Sequence, residues 1–304
     1  MQQDLPQRDG PLALGIDAGG TRTRWALANL SGSIIAEGKE EGFSALELQG
    51  AGRAHVAAVL EDLARAVLAV GRPARAHAGL TGFGEASAEL ARLITAPLGL
   101  SVDALTVGSD IETAYRDLFD PGQGYVVYAG TGSVAAFVDE EGVLHRAGGY
   151  GGLIDDGGGG YWIAREALRQ VWRTEDERPG SWRNSPLAQE LFTQVGGSDW
   201  AHTRSYVYGG SRGDVGRLAL AVARAAERDA EAMAILRSAG LELARLGRAM
   251  IGRYGPRPVA LSGRAATLHP VIEASMREAL PIGMPFAVRP CRGHHAAARL
   301  ALRD

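Results

Sequence analysis

The sequence predicts an α/β protein made of two domains that face each other across a cleft. A unit of strand, glycine turn, strand, turn and strand begins near residue 12 and is found again near residue 124. Strand patterns alternate with helical patterns through the rest of the chain. No low-complexity linker interrupts the 304 residues, so any hinge between the two halves is expected inside the folded body.

In the first half, apolar runs that close on glycine predict strands, and alanine-rich stretches with helical periodicity predict helices. The whole half is expected to form one domain, residues 1–119. The predicted strands are residues 12–17, 23–29, 34–37, 75–81 and 104–107, and the predicted helices are 50–70, 86–96 and 111–118.

The second half repeats the opening pattern and then becomes mainly helical. It is expected to form a second domain, residues 120–289, while a final helix at about 290–304 packs back on the first domain. The predicted strands are residues 124–129, 134–138, 143–145, 259–262 and 286–288, and the predicted helices are 160–171, 186–195, 217–227, 230–254, 269–279 and 294–302.

Composition excludes several classes of partner and site. A net charge of -3 argues against nucleic acid as a partner. The single cysteine, Cys291, excludes an intrachain disulfide, cysteine-ligated zinc and an iron–sulfur cluster supplied by one chain. Lys39 is the only lysine, so a nucleotide site would have to bind phosphate without the lysine of a P-loop.

The sequence contains no segment typical of export or membrane insertion. Its first ten residues are polar and lack the apolar stretch of a signal peptide. No uncharged apolar run reaches the length of a membrane span. We therefore expect a cytoplasmic protein without a membrane partner.

The first glycine turn, Asp17-Ala18-Gly19-Gly20-Thr21, has the composition of a phosphate-binding loop. Paired glycines let backbone N–H groups approach phosphate oxygens, and Thr21 adds a hydroxyl donor. Asp17, at the end of the strand, is suited to holding Mg²⁺ through water. The alternative is an ordinary hairpin turn, and this turn alone does not decide between the two.

A second glycine turn, Gly130-Thr131-Gly132-Ser133, occupies the matching place in the other half. Two such turns facing each other would hold a polyphosphate from both sides. Their matching positions therefore favour phosphate binding over two ordinary hairpins.

Asp110 follows Ser109 at a junction between a strand and a helix. Spacing alone favours a helix N-cap at this place. The functional alternative is a general base that takes a proton from a hydroxyl as it attacks the γ-phosphate. Both roles can be filled if Ser109 is the N-cap and Asp110 is the base.

Residues 148–160 form the most glycine-rich segment of the chain. Ordering so many glycines is costly unless the backbone must approach something closely. Tyr150 offers a ring on which a sugar can stack, and Asp155 and Asp156 offer acceptors for hydroxyls. The helix that begins near Tyr161 would direct its positive end to the same place. The alternative is a flexible surface loop. Gly263, after a later strand, fits the edge of an adenine pocket.

In their order along the chain, these motifs resemble those of N-acetylglucosamine kinases and of the wider BadF/BadG/BcrA/BcrD ATPase-like branch of the actin/hexokinase superfamily. The resemblance extends from about Leu12 to Leu302. It implies two ribonuclease-H-like domains that bind ATP, Mg²⁺ and a hexose in the cleft between them, and it suggests a homodimer. The motifs that carry it are DAGGT at 17–21, Ser109-Asp110, GTGS at 130–133, the glycine-rich run through YWIA at 148–164, and ALSG at 260–263.

The resemblance also implies roles for single residues. Asp110 would be the catalytic base, and Asp17 would hold the Mg²⁺ that accompanies ATP. ATP would be bound by Asp17, Gly19, Gly20, Thr21, Gly130, Thr131, Gly132 and Gly263. The sugar would be bound by Ser44, Thr81, Gly82, Asp110, Gly149, Tyr150 and Asp156.

The sequence departs from the animal N-acetylglucosamine kinase pattern on the sugar side. Leu46-Glu47 stands where an Asn-His pair is expected, and residues 155–158 read Asp-Asp-Gly-Gly in place of Gly-Asp-Glu-Gly. The first expected reaction remains phosphorylation of N-acetylglucosamine at O6. Glucosamine is an alternative, because Glu47 and Asp155 add acid that would suit a free amine. Another hexose is a further alternative.

The same fold also occurs with two other functions, an electron-transfer ATPase and a sugar-binding regulator. An ATPase that drives electron transfer through an iron–sulfur cluster needs more cysteines than the chain contains. A catalytically silent sugar-binding regulator of the same fold stays open, although the first strand near Leu12 leaves no room for a preceding DNA-binding segment. The adjacent histidines His294-His295 resemble a metal-binding pair, but a surface or capping role is expected for them at the entry of the last helix, so no metal site beyond the Mg²⁺ of ATP is predicted.

Overall fold

The computed structural model describes residues 10–48, 52–82 and 88–303. These residues form an α/β fold with two five-stranded sheets. The strands are β1 (Leu12–Gly19), β2 (Arg22–Ala28), β3 (Ile34–Glu41), β4 (Pro73–Leu80), β5 (Leu105–Ser109), β6 (Tyr125–Ala129), β7 (Ser133–Val138), β8 (Leu144–Gly148), β9 (Val259–Ser262) and β10 (Phe286–Val288).

Helices follow the strands of each sheet and form most of the segment between β8 and β9. The helices are α1 (Arg53–Val70), α2 (Ala88–Leu98), α3 (Asp110–Leu118), α4 (Gly160–Glu177), α5 (Pro186–Val195), α6 (Trp200–Gly209), α7 (Arg212–Gly216), α8 (Ala219–Ala225), α9 (Ala230–Tyr254), α10 (Pro270–Ala279) and α11 (Gly293–Leu300). None of the helices in the described ranges combines the length and the apolar character that a membrane span requires.

The two sheets have the same topology. The first has the strand order β3-β2-β1-β4-β5, and the second, read in the equivalent direction, has the order β8-β7-β6-β9-β10. In each sheet the first three strands are antiparallel, and the last two run parallel to the first. The prediction of an α/β fold of the actin/hexokinase-like class, built on a repeated three-strand unit, is confirmed.

The chain divides into two compact units. One contains Met1–Leu118 together with Cys291–Asp304, and the other contains Phe119–Pro290. In the second unit the long helix α9 packs on β6, β7 and β8, and α10 packs on α9.

Strand β1 has two different faces, because successive side chains of a strand point to opposite sides. Leu14 and Ile16 are fully buried in the core that α1 and α2 form on one side. Gly15 lies on the other side, where a side chain would overlap the backbone of α11 at His294 and Ala298. The glycine therefore allows α11 to pack directly on the strand, and Asp17 lies two positions further along the same face.

Several predicted boundaries differ from the structure. Strand β3 continues through Glu41, four residues beyond its predicted end, with the alternation of partly buried and exposed positions typical of a charged edge strand. Helices α6 and α7 were not predicted, and the helix predicted at 217–227 is replaced by α8 and a short 3₁₀ turn. The predicted starts of two helices, at residues 50 and 86, lie outside the described residues.

Candidate functional site

The first glycine turn joins β1 to β2 and is open on the side of its glycines. Neither Gly19 nor Gly20 adopts a positive φ, so the turn conformation itself does not demand glycine. A Cβ placed on Gly20 would meet no atom of the described residues within 4 Å. The missing side chains therefore leave space for something outside the protein chain, as a phosphate-binding turn requires. Gly42, after β3, packs against the backbone of the same turn.

Asp17 lies near the end of β1, beside the first residue of α11. A Cβ on Gly293 would lie 3.0 Å from Oδ2 of Asp17, so a larger residue there would require this carboxylate to shift. Burial raises the pKa of Asp17 to about 7, and the nearby Asp110 carboxylate contributes further to the increase. Arg24 on β2 opposes the shift, and Asp117 adds to it. A buried carboxylate that faces others of the same charge is suited to binding a cation.

Asp110 begins α3, and both oxygens of its carboxylate have donors. Oδ1 accepts a hydrogen bond from Ile111 N at 2.8 Å, and Oδ2 accepts one from the hydroxyl of Thr81. Gly79 on β4 permits this arrangement, because a side chain there would press on Asp110 Cα and on Thr113. The carboxylate is therefore held in one orientation at the carboxyl end of two parallel strands, β4 and β5.

Thr81 connects Asp110 to a second group of predicted sugar-binding residues. Its carbonyl oxygen accepts a hydrogen bond from the Ser44 hydroxyl at 3.3 Å. Gly82 has a φ of +73°, and a Cβ there would lie 2.7 Å from Ser44 Oγ. Ser44, Thr81, Gly82 and Asp110 are thus neighbours in the first unit. Glu47 closes the turn after β3, because its Oε1 accepts from Ser44 N at 2.9 Å.

The second glycine turn joins β6 to β7 and is held by the start of α4. Gly160 N donates to Gly130 O, and Tyr161 N donates to Thr131 O, both at 2.9 Å. The first amides of α4 are therefore used to fix the turn, which differs from the expectation that this helix directs its positive end to a sugar. The Ser133 hydroxyl adds a buried hydrogen bond to Gly157 O at 2.7 Å.

Asp156 is buried against the second glycine turn. Its side chain is 4% exposed, and a Cβ on Gly132 would overlap its carboxylate. Oδ1 accepts from Gly151 N at 3.2 Å, and Oδ2 accepts from Arg212 Nη2 at 2.6 Å. Asp156 has a φ of 65°, which is rarely adopted by residues with a side chain. The carboxylate predicted to bind sugar hydroxyls therefore organises the loop in this structure.

The exposed part of the glycine-rich segment is apolar. Tyr150 is 65% exposed, and Leu153 and Ile154 are more exposed still. Gly149 has a φ of +72° and would press a Cβ on Val134, so the backbone beside Tyr150 requires glycine. Asp155 is not a free acid, because its Oδ2 forms an ion pair with Arg245 Nη2 at 2.8 Å.

Gly263 follows β9 with a φ of +97°, and any side chain there would overlap the backbone of Ala129. It therefore lies directly against the strand that leads into Gly130. The predicted adenosine residue and the second glycine turn are neighbours within the second unit.

The structure brings the predicted residues together in two groups, one in each unit. The first contains Ser44, Thr81, Gly82 and Asp110 with the nearby Asp17 turn, and the second contains Gly132, Asp156 and Gly263 with their turns. Three residues that shape these groups were not predicted: Gly293, Asp117 and Arg212. The spacing of Ser211 and Asp214, which form a capping box, would have predicted from the sequence a helix that begins at Arg212.

The chain is similar to several known proteins. A family model described as the BadF/BadG/BcrA/BcrD ATPase family matches residues 14–281. An N-acetyl-D-glucosamine kinase of Dictyostelium discoideum is 41% identical over 54 residues, which is 18% of this chain and 17% of that enzyme. The chain thus aligns with only a small part of this curated relative.

Solved structures match over nearly the whole chain. A candidate N-acetylglucosamine kinase from Chromobacterium violaceum has a TM-score of 0.69 and 26% identity, covering 96% of this chain and 99% of that one. A ROK family glucokinase from Streptomyces griseus, solved with glucose and AMPPNP, has a TM-score of 0.60 and 16% identity, covering 96% and 100%. Because only 16% of the residues are identical, the similarity to the glucokinase supports a shared fold alone.

Proposed function

Since the chain belongs to the BadF/BadG/BcrA/BcrD ATPase family, we propose that it is an ATP-dependent sugar kinase that phosphorylates N-acetylglucosamine at O6. The observation that carries this proposal is the orientation of Asp110. Its carboxylate is held by Thr81 and Ile111 at the end of two parallel strands, close enough to Asp17 to raise the pKa of that residue. The 26% identical Chromobacterium violaceum structure supports the choice of sugar.

Asp110 would act as the general base. A sugar hydroxyl becomes a better nucleophile when a carboxylate accepts its proton as the bond to the γ-phosphorus forms and the bond from that phosphorus to the leaving ADP breaks. Because both oxygens already have neutral donors, the carboxylate is oriented before the sugar arrives and does not have to rearrange. Fixed orientation of this kind is a large part of catalysis in phosphoryl transfer.

The residues around Asp17 fit a magnesium ion. Mg²⁺ prefers carboxylate oxygens, and the pKa of the Asp17 carboxyl is raised first by burial and then by the negative charge of Asp110, so a cation would stabilise its ionised form. Asp17 would hold the ion, directly or through water. Bound there with ATP, Mg²⁺ would neutralise charge on the phosphate oxygens.

The two glycine turns would bind phosphate. In the first turn, Gly19, Gly20 and Thr21 would supply backbone N–H groups and a hydroxyl, and the space beside Gly20 is open. In the second, Gly130, Thr131 and Gly132 form a turn that α4 holds from behind. Gly263 would lie at the adenosine, since it packs against the strand that leads into this turn.

We place the acetylated sugar before glucosamine as the proposed substrate. Glucosamine is the alternative because Glu47 and Asp155 add acid near the expected sugar residues. Asp155 already has a cationic partner, because its Oδ2 is bound to Arg245, and its Oδ1 accepts from Gly157 N. This ion pair leaves Asp155 less available to a free ammonium group. Ser44, Thr81, Gly82, Gly149 and Tyr150 remain the proposed sugar contacts, with Asp156 shaping the loop that carries Tyr150.

The test is a coupled assay of ADP formation with N-acetylglucosamine, glucosamine and glucose, followed by ³¹P NMR of the product. We expect the highest kcat/KM for N-acetylglucosamine and a 6-phosphate product. A strong preference for glucosamine or glucose would contradict the proposed sugar, but the protein would still be a sugar kinase. Sugar binding without ADP formation by purified protein would instead identify a silent sugar-binding protein and overturn the kinase proposal.

A further inference from the structure

Glu37, His294 and His295 form a cluster where the start of α11 meets strand β3. Glu37 Oε2 lies 3.2 Å from His294 Nε2 and 2.5 Å from His295 Nε2. The two imidazole side chains are 7% and 9% exposed, while Glu37 is 56% exposed. The expected surface role for these histidines is wrong, since both are buried.

The convergence of two adjacent histidines on one oxygen is unusual for a helix. Neighbouring residues of an α-helix point about 100° apart, so their side chains normally diverge. Here the rings meet edge to face with centroids 4.4 Å apart, and each directs Nε2 to Glu37. One ligand atom from each residue lies within 4.8 Å of the other two.

Two imidazole nitrogens and one carboxylate oxygen are the donors that borderline transition metals prefer. We propose that Glu37, His294 and His295 bind a Zn²⁺ ion, which fastens α11 to strand β3. Water would complete the coordination on the side where Glu37 reaches solvent. Mg²⁺ and Ca²⁺ are poor occupants, because they take oxygen ligands in preference to imidazole.

The distances from Glu37 to the two histidine nitrogens can be compared with those in a zinc site. In a tetrahedral site with bonds of 2.0–2.1 Å, two donor atoms lie roughly 3.3 Å apart. The distance from Glu37 to His294 already has this value within 0.1 Å, at 3.2 Å. The distance from Glu37 to His295 must lengthen from 2.5 Å, which rotation of the exposed Glu37 side chain can provide.

Burial favours the neutral imidazole of His294. Burial lowers the pKa of His294 to about 4, with a further decrease from His295 and a smaller one from Arg24, while Glu37 opposes them. A neutral ring carries the lone pair that a metal needs. Arg24 on β2 is the one neighbour in this set that repels a cation, and Glu37 offsets it.

An ion at this place would act on the catalytic face through α11. The helix begins at Gly293, which touches the carboxylate of Asp17, and it packs on β1 at Gly15. Fixing His294 and His295 to β3 would therefore hold the start of α11 in place beside Asp17. Zn²⁺ bound to the folded state alone would raise the melting temperature by mass action.

The experiment uses full-length, tag-free, EDTA-treated protein in buffer with excess Mg²⁺, which fills oxygen-only sites. Zn²⁺ is titrated against a chromophoric chelator, and Tm is measured with and without one equivalent. We expect one equivalent bound and a higher Tm. Co²⁺ in its place should give the visible absorption of a four-coordinate site. The proposal does not depend on which sugar is phosphorylated.

Variants separate a metal site from a purely structural hydrogen-bonded group. Glu37→Gln, exposed and of equal size, should weaken Zn²⁺ binding more than about tenfold, and His295→Ala should abolish it. His145→Asn removes a histidine from an ordinary His–Asp pair with Asp139 and should bind Zn²⁺ like the wild type. Equal Zn²⁺ affinity in wild type and Glu37→Gln, or no binding by the wild type, overturns the proposal.

Discussion

The hydroxyl of Thr81 donates a hydrogen bond to Oδ2 of Asp110, 29 positions further along the chain. Strand pairing makes this contact possible, since β4 and β5 run parallel and end at the same edge of the sheet, with Leu80 opposite Ser109. The hydrogen bond joins a proposed sugar contact, Thr81, to the proposed general base, Asp110. Because the two residues have different proposed roles, each is tested by its own substitution.

Replacing Asp110 by Asn should remove proton transfer while preserving shape. The amide keeps an acceptor for Ile111 N but cannot take a proton from the sugar hydroxyl. We expect kcat to fall about 10²–10⁴-fold and the sugar Kd, measured by calorimetry, to change little. A variant that retains kcat within a factor of about ten would remove Asp110 from the mechanism.

Thr81→Val should expose the positioning role of the hydroxyl. Valine keeps the volume but leaves Oδ2 of Asp110 without this donor, and a hydrogen bond to a charged group contributes about 1.5–3 kcal/mol. We expect kcat to fall by about tenfold or more with a smaller change in KM. Thr81→Ser should recover most of the rate, because serine restores the hydroxyl. Equal activity of the valine and serine variants would assign Thr81 a packing role only.

Asp17→Asn should stabilise the protein, and more so at high pH. The unfolded carboxyl has a pKa of about 3.9, whereas burial raises the folded pKa to about 7. Between these values the native state holds a proton that the unfolded state has lost, so wild-type stability falls as the pH rises. The asparagine variant avoids this cost, which reaches up to about 4 kcal/mol above pH 7.

Urea unfolding without nucleotide or metal, at pH 5 and pH 8, measures this difference. The advantage of Asp17→Asn should be larger at pH 8. Asp103→Asn, in an exposed turn, is the matched control and should change stability little at either pH. A pH-independent difference between wild type and Asp17→Asn would contradict the assignment of a raised pKa to Asp17.

Arg212→Ala should loosen the glycine-rich segment. It leaves the buried Asp156 carboxylate without its cationic partner, although Arg212 itself is 52% exposed, which moderates the cost. We expect a loss of about 1–3 kcal/mol in stability and a raised KM for the sugar. Arg169→Ala, which removes an arginine of α4 that pairs with Glu166 and not with the glycine-rich segment, is the control and should change neither property much. Adding Asp156→Asn should recover part of the lost stability if the pair is coupled.

The sequence was informative where local patterns decide the structure. Apolar runs closed by glycine predicted β1 and β6 because a buried strand and a tight turn each restrict residue choice. Helix α6 gave no such pattern, since only Thr203 among its residues is buried. Edge strand β3 was cut short because its charged residues look like a loop.

Long-range contacts explain what was missed at the candidate site. Asp156 was placed with the sugar residues from its position in a motif, but its burial depends on Gly132 and Arg212, which lie far from it along the chain. The burial of His294 and His295 likewise depends on packing against the sheet. Spacing cannot reveal such partners when only one sequence is read.

The absence of a side chain at Gly15 has a consequence for the order of folding. The strand face at Gly15, Ala26 and Ala28 is covered by α11, which follows the whole Phe119–Pro290 unit along the chain. During synthesis this face of the first sheet stays uncovered until that unit and α11 have been made. A ribosome-bound chain that stops before α11 should therefore depend on chaperones more than a chain that includes the helix.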